Sequence, residues 1–346
     1  MITRTIATCQ IEDWQKQLSE AFSSVKKLLE HLEIPINDYP TWVGAEKDFP
    51  LRVPRAFVNK ISMGDINDPL LRQVLPHHDE TLSVAGFTKD PLLELKANPS
   101  KGLLHKYSSR VLVILGSACA VHCRYCFRRH FPYQDNGLSQ REFEDIVNYV
   151  KRFPEVNEVI LSGGDPLISS NSRLNHLIEA LEQIPHLRRI RFHTRTPVVI
   201  PARIDAEFIA LVQRTSLQVI MVLHCNHPNE LDPAFTEAMS ALKAAGVTLL
   251  NQSVLLQGVN DNANILTQLS EALFDSHILP YYLHVLDPVA GASHFNVDES
   301  TGVALINQLL TTLPGYLVPK LVKEEAGQAS KTPVVETIPA TPKSTK

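Results

Sequence analysis

No stretch of the 346-residue chain reaches eighteen apolar residues, so no segment reads as a membrane-spanning helix. Met1 to Gln15 has neither an apolar core nor a small-residue cleavage site, so no secretory leader is expected. Long basic runs are missing too. With a net charge of −4, broad nucleic-acid binding is not expected. Cysteine is scarce: Cys9, Cys119, Cys123, Cys126 and Cys225 make an odd number with three bunched together, unlike a secreted disulfide framework. These absences predict a cytoplasmic protein with no membrane and no nucleic-acid partner. The 44% hydrophobic and 20% charged content is that of a globular chain, long enough for one large domain or two modest ones.

What is present is concentrated in Cys119-Ala-Val-His-Cys123-Arg-Tyr-Cys126, a C-x3-C-x2-C run. Thiolates this close on one loop can share a soft metal centre. Three of them leave a four-iron cluster with one iron open to a ligand. Two other readings stand beside this one: a zinc site completed by His122 or His130, and ordinary buried thiols.

The pattern along the chain predicts an α/β fold. Residues 1–100 read as an N-terminal helical extension, with one helical period over Asp13 to Leu32 and a break at Asp38-Tyr39-Pro40. Residues 101–290 alternate strands and helices. Strands are expected at Val111 to Leu115, Val159 to Leu161, Arg189 to His193, Leu217 to Leu223, Val247 to Leu256 and Tyr281 to Leu286. Helices follow at spacings such as Phe143, Ile146, Val147 and Val150. Six strand–helix units without a clear strand pattern after Leu286 predict an incomplete six-stranded parallel barrel. Residues 291–333 form a C-terminal segment and 334–346 a flexible tail rich in Pro, Thr and Lys. In such barrels chemistry sits at the C-terminal ends of strands, where Cys119, Gly163-Gly164-Asp165, His224, Gln252 and Asp287 fall.

Gly163 and Gly164 would let backbone approach a ligand, and Asp165 would offer a carboxylate to an ammonium group; a plain tight turn is the alternative. Lys106, Tyr107 and Arg110 are suited to a phosphate, or to a solvated loop. Arg128 suits a carboxylate, or bare surface charge. Lys331, in a polar C-terminal stretch, reads by itself as a solvated lysine.

Taken together, the cysteine loop and the Gly-Gly-Asp turn resemble the radical S-adenosylmethionine superfamily. The chain from about Leu51 to Pro333 is similar to the lysine 2,3-aminomutase family. The likeness rests on Asp68-Pro-Leu-Leu-Arg-Gln-Val74, Cys126-Phe-Arg128-Arg129, Ser162-Gly-Gly-Asp165, Thr194-Arg-Thr-Pro-Val-Val199, His224-Cys-Asn-His-Pro-Asn-Glu230, Asn251-Gln-Ser-Val-Leu-Leu256 and Ser330-Lys-Thr-Pro333. Tyr125 to Tyr133 looks like the branch that supplies β-lysine to elongation factor P.

The resemblance implies a [4Fe-4S] cluster on Cys119, Cys123 and Cys126, with S-adenosylmethionine on the open iron and its amine held by the Gly163-Gly164-Asp165 stretch. It implies pyridoxal 5′-phosphate on Lys331 as a Schiff base, its phosphate near Lys106, Tyr107 and Arg110, and Gln252 close by. Arg128 would take the substrate α-carboxylate; Asp287 and Glu324 would take the side-chain amine. The implied activity is an isomerase that uses a 5′-deoxyadenosyl radical to convert L-lysine to (R)-β-lysine. It would be linked to elongation factor P and its lysine ligase and fed by an external electron donor. Clostridial members carry Asp at the Glu324 position and a longer zinc-binding C-terminal part, which is not inferred here. The competing readings are an aminomutase of another amino acid such as arginine, and a non-catalytic zinc-binding docking protein.

Overall fold

The computed structural model describes residues 13–36, 45–94, 98–132, 138 and 140–335. Its centre is one nine-stranded sheet with the strands in chain order. These are β1 Leu103–Tyr107, β2 Arg110–Gly116, β3 Glu158–Gly163, β4 Arg189–Thr194, β5 Gln218–His224, β6 Thr248–Val254, β7 Leu279–His284, β8 Lys320–Lys323 and β9 Thr332–Pro333. Strands β2 through β8 pair in parallel, each with the next. β1 and β9 add antiparallel at the two edges. Those edges pair with no other named strand, so the barrel is open.

Parallel neighbours need crossovers, and helices supply them: Gln140–Arg152, Asn171–Glu182, Ala206–Arg214, Pro233–Ala244, Ala263–Asp275 and Glu299–Thr312. β3 is buried along its whole length, as a strand covered on both faces must be. Leu174, Leu177, Ile178 and Leu181 of one helix share a core with Val159, Leu161, Ile190 and Phe192 of the sheet. Asp205 and Asp232 cap their helices by accepting from Phe208 N (2.7 Å) and Phe235 N (2.8 Å). Such caps contribute about 1 kcal/mol each.

All six expected strands form. The sheet is wider than expected, because Lys320–Lys323 adds a seventh parallel strand. Only Leu321 and Val322 of its four residues are buried, too short an apolar run to stand out. The segment carrying Lys106 and Tyr107 is strand β1 of a hairpin, not a loop, with Tyr107 in register with Arg110. The expected N-terminal helix is two helices, Trp14–Ser19 and Val25–His31. Phe22 leaves the helical path to exchange backbone hydrogen bonds with Val53 at 2.8 and 3.0 Å, and Ser24 caps the second helix. The break at Asp38-Tyr39-Pro40, Tyr133 and residues 336–346 lie outside the described residues. The N-terminal helices pack beneath the cysteine loop: Leu28, Phe57, Leu70 and Leu71 share a core with Ala120, Val121, Val199 and Ile200.

Candidate active site

Cys119, Cys123 and Cys126 lie on an irregular loop that follows β2, and its backbone is tied down on several sides. Gly164 N donates to Gly116 O (2.7 Å), Asp165 N to Ala118 O (2.8 Å), and Arg124 N to Gln73 O (2.9 Å). A β-carbon on Gly163, whose φ is +123°, would stand 2.6 Å from Gly116 O. One on Gly164 would enter the Ala118 carbonyl. Only glycine lets the two strand ends approach this closely. Inside the loop Arg124 is wholly buried, its Nε 2.8 Å from Glu80 Oε1 and its Nη1 2.7 Å from Phe49 O.

The carboxylate of Asp165 differs from expectation. Both oxygens are committed to the turn: Thr194 Oγ1 (2.7 Å) and Leu167 N (3.0 Å) donate to Oδ1, Arg195 N (2.8 Å) and Thr196 N (3.0 Å) to Oδ2. Burial raises its pKa despite these bonds. The side chain holds the β3 and β4 ends together rather than facing an ammonium group.

One cavity of about 560 Å³ is lined by every site residue expected from the sequence: Cys119, Cys123 and Cys126; Gly163, Gly164 and Asp165; Lys106, Tyr107, Arg110 and Gln252; Arg128, Asp287, Glu324 and Lys331. Burial, then Cys126, Asp165 and Cys123, push the Cys119 thiol well up. Burial, then Cys123, raise Cys126 to about 11. Such thiols stay protonated unless a cationic centre replaces the protons, and a metal cluster does so. Among the described residues no three His, Cys, Asp or Glu converge on a single ion. His122 Nδ1 bonds Pro50 O (2.8 Å) and His130 Nε2 bonds Ala290 O (3.0 Å). Three cavity-lining thiols on one loop are a donor set suited to an iron–sulfur cluster. His193, His224 and His284 line the same cavity with buried Nε2 atoms that have no partner, and burial holds all three neutral. Unsatisfied buried groups of this kind mark room for a polar ligand.

The far side of the cavity is a chain of alternating charges. Arg128 grips Glu94 with two bonds, Nε–Oε2 2.6 Å and Nη2–Oε1 2.9 Å, and donates to Ser162 Oγ at 3.1 Å. Lys106 bridges Glu94 (3.1 Å) and Glu324 (3.2 Å). Lys331 closes the row on Glu324 at 2.7 Å. Burial would raise Glu324, but the charges and hydrogen bonds of Lys331 and Lys106 outweigh it and hold the carboxyl far below its ordinary range. Asp287 has less help: burial, then the Glu324 charge, lift it to about 7. Lys331 is thus a paired cavity lysine, not a solvated one. It gets there because Glu324 directly follows β8 and Lys331 directly precedes β9, with Lys323 and Thr332 in register. Tyr107 lies under the Arg110 guanidinium (4.3 Å), and burial, then Glu324, raise its pKa to about 12.

Two participants escaped the sequence reading. Glu94 sits in the leucine-rich run Leu92-Leu93-Glu94-Leu95, which carries no motif, and only its ion pairs reveal it. Arg195 appeared only within the Thr194–Val199 stretch of the family likeness, with no role of its own, yet it is buried and reaches Cys123 Sγ at 2.8 Å.

An open parallel barrel with three thiols on the loop after its first parallel strand, facing a glycine-walled cavity, defines a cluster-bearing α/β enzyme scaffold. Residues 113–267 match the model of the radical SAM superfamily. The chain is 48% identical over 331 residues to the L-lysine 2,3-aminomutase of Escherichia coli, covering 95% of this chain and 96% of that protein. It is 49% identical over 321 residues to the protein of that name from Haemophilus influenzae, covering 93% and 95%. The Clostridium subterminale protein of that name is 33% identical over 333 residues, covering 96% of this chain and 80% of that longer protein. The chain belongs to the lysine 2,3-aminomutase family of the radical SAM superfamily. Membership implies a [4Fe-4S] cluster, S-adenosylmethionine and pyridoxal phosphate.

Proposed function

We propose that the chain is an L-lysine 2,3-aminomutase that makes (R)-β-lysine in the cytoplasm, for attachment to elongation factor P by a separate ligase. One observation carries the reading. A guanidinium fork, two acidic side chains and a paired lysine share one cavity with three thiols. When bound, the cluster with S-adenosylmethionine supplies a hydrogen-abstracting carbon radical, and pyridoxal phosphate carries the nitrogen that moves.

The chain's own residues do the holding. Cys119, Cys123 and Cys126 take the cluster, while Gly163 and Gly164 let backbone come close to the ligand on it. Lys331 carries pyridoxal phosphate, with Lys106, Tyr107 and Arg110 around the phosphate and Gln252 beside it. Arg128 already grips one carboxylate, that of Glu94, in the bidentate manner a substrate α-carboxylate needs. Asp287 and Glu324 receive the side-chain ammonium and repel a glutamate side chain. Glu324 is engaged by two lysines in this structure. Lys331 would turn its amine to the cofactor and Lys106 would gain a competing phosphate, so cofactor loading would loosen the hold of both lysines on Glu324.

The test is anaerobic incubation with reductant, S-adenosylmethionine and free L-lysine, followed by chiral analysis of the product. Brown protein and (R)-β-lysine are expected, with L-arginine turned over far more slowly. Colourless zinc-containing protein, or preferential turnover of arginine, would sink the proposal.

A further inference from the structure

We infer that Arg195 is a positioning residue for the cluster: its guanidinium donates a hydrogen bond to the Cys123 sulfur and thereby raises the reduction potential of the centre. The inference rests on the reading of Cys123 as a cluster ligand. The geometry is specific. Arg195 follows β4 and is 5% exposed. Nη1 lies 2.8 Å from Cys123 Sγ and also contacts the Tyr125 hydroxyl. Nη2 donates to Gln73 Oε1 (2.7 Å) and Glu230 Oε2 (2.9 Å).

The fork cannot swing away. Glu230 is itself fixed by Asn226 N (2.9 Å) and His227 N (3.0 Å), and the Tyr125 hydroxyl accepts from Asn226 Nδ2 (2.7 Å). The Phe57 and Tyr125 rings lie 5.5 and 5.6 Å from the guanidinium carbon. The Arg195 backbone N–H, moreover, is held by Asp165. A purely structural clasp between Glu230 and Gln73 would need only Nη2. The other arm ends on the Cys123 sulfur and the Tyr125 hydroxyl.

Hydrogen bonds to cysteine sulfur are one of the protein's levers on cluster potential. A reduced cluster carries one more electron, and part of that density rests on its thiolate ligands. A donor aimed at one of them stabilises the reduced form more than the oxidised form. Because Glu230 balances the charge of Arg195, the sulfur receives an oriented N–H rather than a large net field. Ligand-orienting partners of this sort matter for metal sites generally.

The experiment uses the full chain with its cluster reconstituted, titrated electrochemically while the reduced centre is followed by electron paramagnetic resonance. Arg195→Gln combined with Glu230→Gln removes donor and counter-charge together. It is expected to lower the reduced-to-oxidised ratio at a fixed potential about tenfold, equivalent to about 59 mV for one electron. Arg195→Lys should fall by less, and Glu230→Gln alone should not fall. A double variant with full iron content and a ratio within threefold of the parent would overturn the inference.

Should the double variant fail to hold iron, the unsubstituted protein decides. With guanidinium-15N-arginine, pulsed resonance on the reduced cluster should show a weak nitrogen coupling that Arg195→Lys abolishes. No coupling, or one that survives the substitution, overturns the inference. An unsubstituted protein that takes up no cluster at all would instead defeat the reading of the three thiols.

Discussion

With Asp287 in its proposed role at the substrate ammonium, lysine capture is predicted to depend on pH, and the raised pKa of the carboxyl gives the range. Burial, then the charge of Glu324, lift its pKa to about 7, while Lys331 pulls it the other way. A raised carboxyl is protonated below its pKa, so the site loses its charge as the pH falls through about 7. The lysine side-chain ammonium, with a reference pKa of about 10.4, stays charged throughout. From pH 8 to pH 6 the ionised fraction of Asp287 falls about tenfold, equal to about 1.4 kcal/mol of binding. Loading the cofactor would bring a phosphate anion into the cavity, which opposes ionisation of a carboxyl, so the transition does not move lower. The assay is equilibrium dialysis of labelled L-lysine against cofactor-loaded protein without reductant, so that no turnover occurs. Other groups titrate in this range, including the substrate α-amine, and Asp287→Asn serves as the comparator. The ratio of parent to Asp287→Asn affinity should fall about tenfold between pH 8 and pH 6. A ratio constant to within about twofold would refute the reasoning, because the carboxyl would then contribute no titrating charge.

Three further outcomes are expected. Lys331→Ala should lose the visible absorbance of covalently held pyridoxal phosphate; a band that persists after dialysis would assign another lysine. Gly164→Ala drives a β-carbon into the Ala118 carbonyl and should cut iron incorporation severalfold, whereas Gly315→Ala, with nothing within 4 Å, should not; equal iron in both would show that the turn does not shape the cysteine loop. Glu94→Gln breaks a buried pair with Arg128 and should cost about 3 kcal/mol in urea unfolding of the chain. A loss under about 1 kcal/mol would mean that Arg128 finds another partner.

The parts of the fold visible in the sequence were those with repeated burial. Strands β2 to β7 and their helices carry enough apolar residues at one period to declare themselves. β8 and β9 do not: a strand with two buried residues, and another of only two residues, draw their stability from neighbours. The site shows the same division. The cysteines and the Gly-Gly-Asp turn are local and legible. The pair Lys106–Glu324 joins positions 218 residues apart, and no local pattern encodes it. Asp165 marks the limit of motif reading. It lines the cavity, yet four hydrogen bonds from the turn consume its carboxylate.

The hairpin of β8 and β9 also has a consequence for the order in which the protein is made. A nascent chain that has emerged through β7 already owns its cysteine loop, its glycine turn and most of its core. It lacks Glu324 and Lys331, which arrive with the last stretch of sheet. Lys106 waits on the first strand for a partner supplied by the end of the chain. Truncation before residue 320 would therefore remove Glu324 and Lys331 and leave Lys106 without one of its two carboxylate partners, so the row of charges is complete only when the last strands have been made.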